Sequence, residues 1–548
     1  MVYTLEVMNY KKIYKLHTQI SPKISMVLLF LLSVVGLSLP FVWYQAGWLS
    51  IFSFVPFIFF LKLISQKKLS VVRQLGLIWA TGIAIFMIIL SWALQTDPEK
   101  WAYINGWQAV FGMWAVYVAF AIALSIQYLF FGGLFLAIKP KFNNKSIFLL
   151  LPAMWCVAEA TRSIMFSIFF MGPGGSIGTY WNFGVLGVAG AVTPLGYLAR
   201  VVGMFGLSFI IVVVNICIFW LIQKRWKLPL SILIGIFALG LICYFVWKPP
   251  ANSRKIVTGY LQQSLVYQTF QGDMTYYELV GKLAAELKEK TDVLVLPEYS
   301  QFFIDTEQTN TEQLKLAQAT AQEISNANGS IITSTENTST GKKTNRVVLY
   351  SVTGVLKAFN DKTFLIPLGE YMPYVFIGIF KLMSQEQLLY THQQMRQIAQ
   401  GQSSGAVFSG ENNIKLGSLA CSGAIAPELY RSLARNGAEV LTNSANLGIF
   451  TNAPFYHQQS QQFARFIALS NARPYVQSAA GAYSYSVSGD GEFVSKTDDL
   501  GFKLQTTQAS LGQPRTIYTI IGEWVVWLSA LILIAVVFIK SFGVKKKK

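Results

Sequence analysis

The sequence predicts a multi-pass α-helical membrane domain of eight transmembrane helices, with an α/β domain inserted before the last of them. Three observations lead there. Of 548 residues, 53% are hydrophobic and only 13% charged, too apolar a balance for an ordinary soluble protein. Apolar stretches long enough to cross a bilayer recur from Ile24 to Trp247 and return once near the C-terminus. Between them, from about Ser253 to Thr507, the chain changes to short apolar strands alternating with amphipathic helical stretches. This divides the chain into an N-terminal membrane domain (1–252), a soluble domain (253–507) and a C-terminal span with a basic tail (508–548).

The first apolar stretch, Ile24–Ile64, would run about 60 Å as one helix, twice a hydrocarbon core of about 30 Å, so it is expected to break near Tyr44–Gly47. No small-residue cleavage site follows its first half, which is therefore read as a span and not a signal peptide. The remaining spans are Leu75–Leu94, Ala109–Ile138, Ile147–Phe170, Val201–Ile222, Leu228–Trp247 and Ile521–Ile539. Cys156, Cys217 and Cys243 fall within them and read as small core residues. Glu159 and Arg162 share one helical face in mid-span, either as a self-satisfying pair or as a headgroup-lining site. Gly172–Gly187 reads as a surface-lying loop.

Basic residues orient these spans. Lys11, Lys12, Lys15 and Lys23 precede the first; Lys67, Lys68 and Arg73 follow the second. Lys139, Lys141 and Lys145 follow the fourth, Lys224, Arg225 and Lys227 the sixth, and Lys545–Lys548 the eighth. These are alternate connections, hence cytoplasmic, whereas Asp97, Glu99 and Lys100 and the uncharged Met171–Leu198 segment lie on the other side. The soluble domain is thus expected outside the cytoplasm. A net charge of +18 could suggest nucleic acid, but its placement in topogenic loops accounts for it without a nucleic-acid partner. Three histidines and no metal-ligand cysteine spacing argue against a metal centre, and no cofactor is expected.

Within the soluble domain, Ile256–Leu261, Asp292–Leu296, Ser330–Ser334, Val407–Ser409, Lys415–Ala420 and Glu439–Thr442 read as strands, with a final set from Tyr475 to Val494. Arg346–Val352 and Val355–Phe359 form a hairpin across Thr353-Gly354. Helices are expected at Asp273–Lys290, Thr311–Asn326, Pro427–Asn436 and Pro454–Leu469.

Three places put reactive side chains at strand ends. In Asp292–Ser300 (DVLVLPEYS), Pro297 cannot continue the ladder and leaves Glu298 at its edge, where a partly apolar setting suits a general base. Lys362 follows the hairpin among Phe359, Phe364 and Leu365, where an ammonium could stabilise negative charge on an oxygen or a thiolate. Ile414–Cys421 (IKLGSLAC) ends on a cysteine at a strand–turn–helix junction, an arrangement that presents a nucleophile. Taken singly, these are a solvated glutamate, a surface lysine and a core thiol.

Jointly they resemble the nitrilase superfamily, which uses Glu, Lys and Cys in that order on an αββα sandwich, and its membrane-embedded branch, the apolipoprotein N-acyltransferase family. The resemblance covers nearly the whole chain. It is carried by LPE (Leu296–Glu298), NDKTFLIPLGEYMP (Asn360–Pro373), Cys421 with Pro427-Glu428, EVLTNSANLG (Glu439–Gly448), HQQSQQFARFIALSNARP (His457–Pro474) and WCVAEATRS (Trp155–Ser163). It implies Glu298 as base, Lys362 as electrostatic stabiliser, Cys421 as nucleophile and Glu370 as a supporting carboxylate, with the N–H of Ser422 as an oxyanion donor. The family usually has an aromatic and then an acidic residue after the cysteine, where this chain has Ser422 and Gly423. The implied reaction moves an acyl chain from a phospholipid donor, through a thioester, to the amino group of a diacylated lipoprotein acceptor within the lipid bilayer. The protein is expected to act as a monomer. Phe364–Gln400, rich in Tyr, Phe and Met, reads as a lipid-touching arm or as packing against the sheet. The alternatives are a membrane-tethered amidase and a non-catalytic lipid- or lipoprotein-binding homologue.

Overall fold

The computed structural model describes residues 22–96, 106–263, 276–287, 290–300, 329–338, 341–351, 353–401, 405–498 and 500–545. The expected helix Thr311–Asn326, the Asp97–Lys100 connection and the lysines Lys11, Lys12 and Lys15 lie outside them.

Long apolar runs make Pro22–Val42, Val55–Gln66, Val71–Ile89, Gly106–Ile138, Ile147–Phe169, Ala199–Ile222 and Lys227–Val246 helical, with Pro40 and Pro152 inside two of them. With their short flanking turns, seven are long and apolar enough to cross a membrane, and the described part of Trp524–Lys545 adds a shorter apolar helix. The first apolar stretch does break, after Val42, through the turn Gln45–Leu49. A Cβ on Gly47 would lie 2.7 Å from the Ala189 carbonyl, so glycine permits that close approach. The bundle packs round Trp155, whose ring meets Phe54, Phe57, Tyr128 and Phe131 at centroid distances of 4.7, 6.3, 5.3 and 5.5 Å. Helix Ala199–Ile222 is broken at Gly203 (φ 73°). The N–H groups freed at Met204 and Phe205 donate to the Glu523 carboxylate at 2.8 and 3.1 Å.

The second domain has four layers. Strands β1 (Lys255–Gln263), β2 (Val293–Glu298), β3 (Ser330–Asn337), β4 (Thr344–Tyr350) and β5 (Leu356–Asp361) lie side by side, with β12 (Lys503–Ser510) antiparallel along β1. The other half contains β6 (Phe408–Ser409), β7 (Lys415–Ala420), β8 (Val440–Asn446), β9 (Tyr475–Ala480), β10 (Tyr485–Val487) and β11 (Phe493–Lys496). Among the described residues the strand ladder passes from one half to the other where Gln262 and Gln263 pair with Ala479 and Ala480. Alternation does the rest: Val293 and Val295 point between the halves to meet Leu416, Val440 and Val476, while Leu294 and Leu296 point outward to Leu283 of helix Tyr276–Glu286. Tyr430 of helix Pro427–Arg435 and Ile467 of helix Pro454–Asn471 cover the opposite face. The expected αββα sandwich is thus present, and its last strand runs past residue 507 to Ser510.

Two expectations need correction. The β2 strand continues through Pro297 to Glu298, because a register shift between the Val295–Ile332 and Glu298–Ser334 pairs accommodates the missing donor. The Gly-rich loop is not surface-lying: Trp181, Asn182 and Phe183 are buried where membrane helices meet the sandwich.

Polar side chains hold that junction. Helix ends leave carbonyls unpaired, and the sandwich supplies donors: Gln459 to Ile89 O at 2.8 Å and Gln462 to Pro40 O at 2.7 Å. Arg200, fully buried, donates to Leu469 O, Cys243 O and Gly489 O and pairs with Asp490 at 2.7 Å. Arg200→Ala is expected to cost about 3 kcal/mol by stranding these groups. It should lower the unfolding midpoint of the detergent-solubilised protein by several degrees; an unchanged midpoint would show that water replaces the contacts.

Candidate active site

Four strand ends of the sandwich converge. Glu298 ends β2, Lys362 follows β5, Cys421 follows β7 and Asn446 ends β8. Cys421 takes φ 40°, a conformation strained for a residue with a Cβ, at the start of the tight turn Cys421–Ile425, and helix Pro427–Arg435 follows. The Lys362 N–H donates to Asn345 O at 2.7 Å, which fixes where its side chain leaves the hairpin.

The structure brings together Glu298, Lys362, Glu370 and Cys421. The Lys362 ammonium lies 2.5 Å from Glu370 Oε1 and 3.5 Å from Glu298 Oε1, and the side chains of Lys362 and Glu298 are almost completely buried. Glu298 is held at both oxygens: Asn345 Nδ2 donates to Oε1 and the Asn446 N–H to Oε2 at 3.0 Å. Glu370 Oε2 accepts from the Ile366 N–H at 2.9 Å. The Cys421 thiol donates at 3.6 Å to the carbonyl of Asn446, the residue whose N–H donates to Glu298. Ser422 Oγ donates to Phe364 O at 2.5 Å, tying the cysteine turn to the segment that follows Lys362.

Burial raises the Glu298 carboxyl above the usual range, with Glu370 adding to the rise and Lys362, Asn345 and Cys421 opposing it. Burial also disfavours the Lys362 ammonium, but Glu298 and Glu370 outweigh it and hold its pKa well above normal. The Cys421 thiol is pushed up strongly, by burial first and then by Glu298, while Lys362 pulls it down. The resting group is therefore a thiol. It needs a base during attack, and the neighbouring carboxylate is placed to act as one.

Asn345 was not visible as a site residue in the sequence, since an asparagine opening an apolar strand carries no mark of its partner. Asn443 falls within the EVLTNSANLG motif, which gave it no role; it lies on β8 and donates to the Tyr430 hydroxyl at 3.0 Å, behind the cysteine turn.

These features define a carbon–nitrogen hydrolase sandwich seated on a membrane bundle, and the comparisons agree. The carbon-nitrogen hydrolase family model matches residues 261–514, and the model of the apolipoprotein N-acyltransferase N-terminal domain matches residues 33–217. An apolipoprotein N-acyltransferase of Geobacter metallireducens is 25% identical over 472 residues, covering 82% of this chain and 83% of the relative. One from Rickettsia prowazekii is 24% identical over 490 residues, covering 85% and 87%. A crystal structure of a carbon-nitrogen hydrolase from Helicobacter pylori G27 aligns with 19% identity and TM-score 0.35, over 47% of this chain and 90% of that one. The chain belongs to the apolipoprotein N-acyltransferase family.

Lys362 is the cation that lowers the thiol pKa, so Lys362→Met should raise it further. Alkylation of Cys421 by iodoacetamide near pH 7.5 is expected to fall about tenfold or more, one pKa unit being a factor of ten in thiolate. An unchanged rate would remove the lysine from the electrostatics of the sulfur.

Proposed function

We propose that this chain transfers an acyl group from a membrane phospholipid to the α-amino group of the diacylglyceryl cysteine of a lipoprotein, through a thioester on Cys421. The observation that carries this reading is the enclosed Glu298–Lys362–Cys421 cluster on a domain seated against membrane-spanning helices.

In the first half-reaction Glu298 takes the thiol proton as the sulfur attacks the ester carbonyl. The oxyanion is stabilised by the Lys362 ammonium and by backbone N–H groups of the cysteine turn, that of Ser422 among them. The C–O bond then breaks, Glu298 returns the proton to the leaving oxygen, lysophospholipid departs, and the acyl chain stays on sulfur. In the second half, the lipoprotein amine attacks the thioester, Glu298 accepts its proton, the C–S bond breaks and the sulfur recovers a proton. An amide is the product. One site used in turn by two lipids gives ping-pong kinetics.

The membrane domain has a direct use in this reading. Both substrates keep their acyl chains in the bilayer, since each buried CH₂ is worth about 0.8 kcal/mol. The sandwich meets the bundle at the helix ends bearing Pro40, Ile89 and Phe170, opposite the ends flanked by Lys67, Lys68, Lys139, Lys141 and Lys145. By the positive-inside rule this faces the reaction away from the cytoplasm. The arm after Glu370 forms helices Tyr374–Leu382 and Glu386–Met395. Leu368, Met372 and Phe376 of this segment pack with Phe120 of the membrane domain, while Leu382 and Met383 project at 88% and 61% exposure. Those two side chains are read as dipping into lipid.

The decisive experiment is intact-mass analysis of protein incubated with phospholipid. A hydroxylamine-labile acyl adduct on Cys421 is expected, absent from Cys421→Ala, and its transfer to a diacylated lipopeptide should follow. No adduct in the wild-type protein would refute the mechanism. Glu298→Gln should slow adduct formation by about 10²- to 10⁴-fold. In the wild-type protein the rate should rise with pH, as Glu298 loses its proton, around a midpoint above the ordinary carboxylate range. Leu382→Asp is expected to raise the KM for vesicle-borne donor several-fold while leaving iodoacetamide alkylation of Cys421 unaltered; an unchanged KM would return the arm to a packing role.

A further inference from the structure

Helix Ile147–Phe169 ends beneath the active site, and its last carbonyls find partners in the sandwich. Phe170 O accepts the Tyr371 hydroxyl at 2.8 Å, and Met171 O accepts the Tyr374 N–H at 2.8 Å. Tyr371 is buried and directly follows Glu370, the carboxylate that grips the Lys362 ammonium. About two turns earlier, Ser163 Oγ donates to Asn182 Oδ1 at 3.1 Å, and the fully buried Asn182 donates through Nδ2 to Thr179 O at 2.8 Å and to Ile425 O at 3.4 Å. Ile425 closes the turn that begins at Cys421. Between these anchors Phe364 packs on Tyr180 and Trp181, at centroid distances of 5.0 and 5.6 Å, and its carbonyl receives Ser422 Oγ.

The Lys362–Glu370 segment and the cysteine turn come from different halves of the sandwich. Each is fastened separately to the same stretch of membrane-domain chain, Phe170–Asn182. We propose that this stretch is a bracket that sets the distance between the ammonium and the sulfur, with Tyr371 and Asn182 as positioning residues, so that the membrane domain completes the active site as well as anchoring it. The inference rests on the acyl-transfer reading for its substrate but not for its geometry. Neither residue touches the sulfur. Each fixes the main chain carrying a group that does the chemistry, and displacements near 1 Å in such groups cost about 10²-fold in rate.

The test uses full-length detergent-solubilised protein carrying Tyr371→Phe, Asn182→Ala or Asn182→Asp; the last keeps the acceptor for Ser163 but loses the donor to Ile425 O. Two readouts are taken: single-turnover acylation of Cys421 by phospholipid, and the pH profile of Cys421 alkylation by iodoacetamide. Acylation is expected to slow about 10- to 100-fold with the phospholipid KM within twofold of wild type, and the alkylation midpoint to shift. Asn182→Asp should resemble Asn182→Ala. Wild-type rates and profiles in both positions would overturn the proposal. So would a raised KM at unchanged kcat, or a rate loss matched by an equal loss of folded protein. If the wild-type protein takes up no acyl group, the acyl-transfer reading fails, and the alkylation profiles still decide for or against the bracket.

Discussion

A lysine ammonium held 2.5 Å from one carboxylate and 3.5 Å from another, in a site where two of the three groups are almost wholly shielded from water, has to be assembled with care. Desolvating such charges costs several kcal/mol each unless geometry and extra hydrogen bonds compensate. Here the compensation comes from fixed donors: Asn345 and the Asn446 N–H on Glu298, and the Ile366 N–H on Glu370. None of these donors is adjacent in sequence to the group it serves at Glu298. The site therefore requires β4 and β8 to arrive at the same place from opposite halves of the sandwich, which the contact of β1 with β9 and the shared apolar layer bring about. Burial first, and then the two carboxylates around one ammonium, keep the thiol protonated at rest. A sulfur that ionised readily in a membrane-facing cleft would be open to stray electrophiles; one that ionises only when its proton has a destination is not.

The membrane and soluble parts are joined by the physics of helix ends. A helix ending inside a protein leaves carbonyls that must be paired, and a domain seated there can supply the donors. Gln459, Gln462 and Tyr371 do so for three separate membrane helices, and Glu523 performs the converse service for the N–H groups freed at Gly203. Such bonds keep their strength at a junction shielded from water, where a lost partner is costly. This is a firmer seat than surface charge pairs would make.

The features legible in sequence were those with short-range signatures. Hydropathy located the spans, and a cytoplasmic lysine pattern supported splitting Ile24–Ile64, which the turn Gln45–Leu49 accomplishes. Period-two alternation located β2 and β7, and with them Glu298 and Cys421. What could not be read were partners separated by long stretches of chain. Asn345 stands 47 residues from Glu298, and Arg200 stands 290 from Asp490. Nothing local distinguishes a buried arginine joining two domains from a topogenic one. The Glu159–Arg162 spacing suggested a pair or a headgroup site, but not the distant groups that meet them: Glu159 accepts from Trp155 and the Leu186 N–H, and Arg162 lies over the Phe86 ring. Pro297 misled for a related reason: its missing donor is harmless when the partner strand's register shifts at the same point.

The two residues after Cys421 are fitted to this backbone by their small size. A side chain at position 423 would begin with a Cβ 2.7 Å from that of Leu419, so in this backbone the position belongs to glycine. The neighbouring serine directs its hydroxyl inward to Phe364 O. A small residue with one hydrogen bond thus closes the gap between the cysteine turn and the lysine segment, where a larger pair would need more room. The sulfur's position depends on the main chain of Cys421–Ile425 and on what grips that turn from outside: Asn443 behind it, Asn182 below it and Phe364 across from it. Position 423 therefore has no room for a side chain and position 422 carries a small one, so the shape of the cleft beside Cys421 is set by main chain more than by side chains.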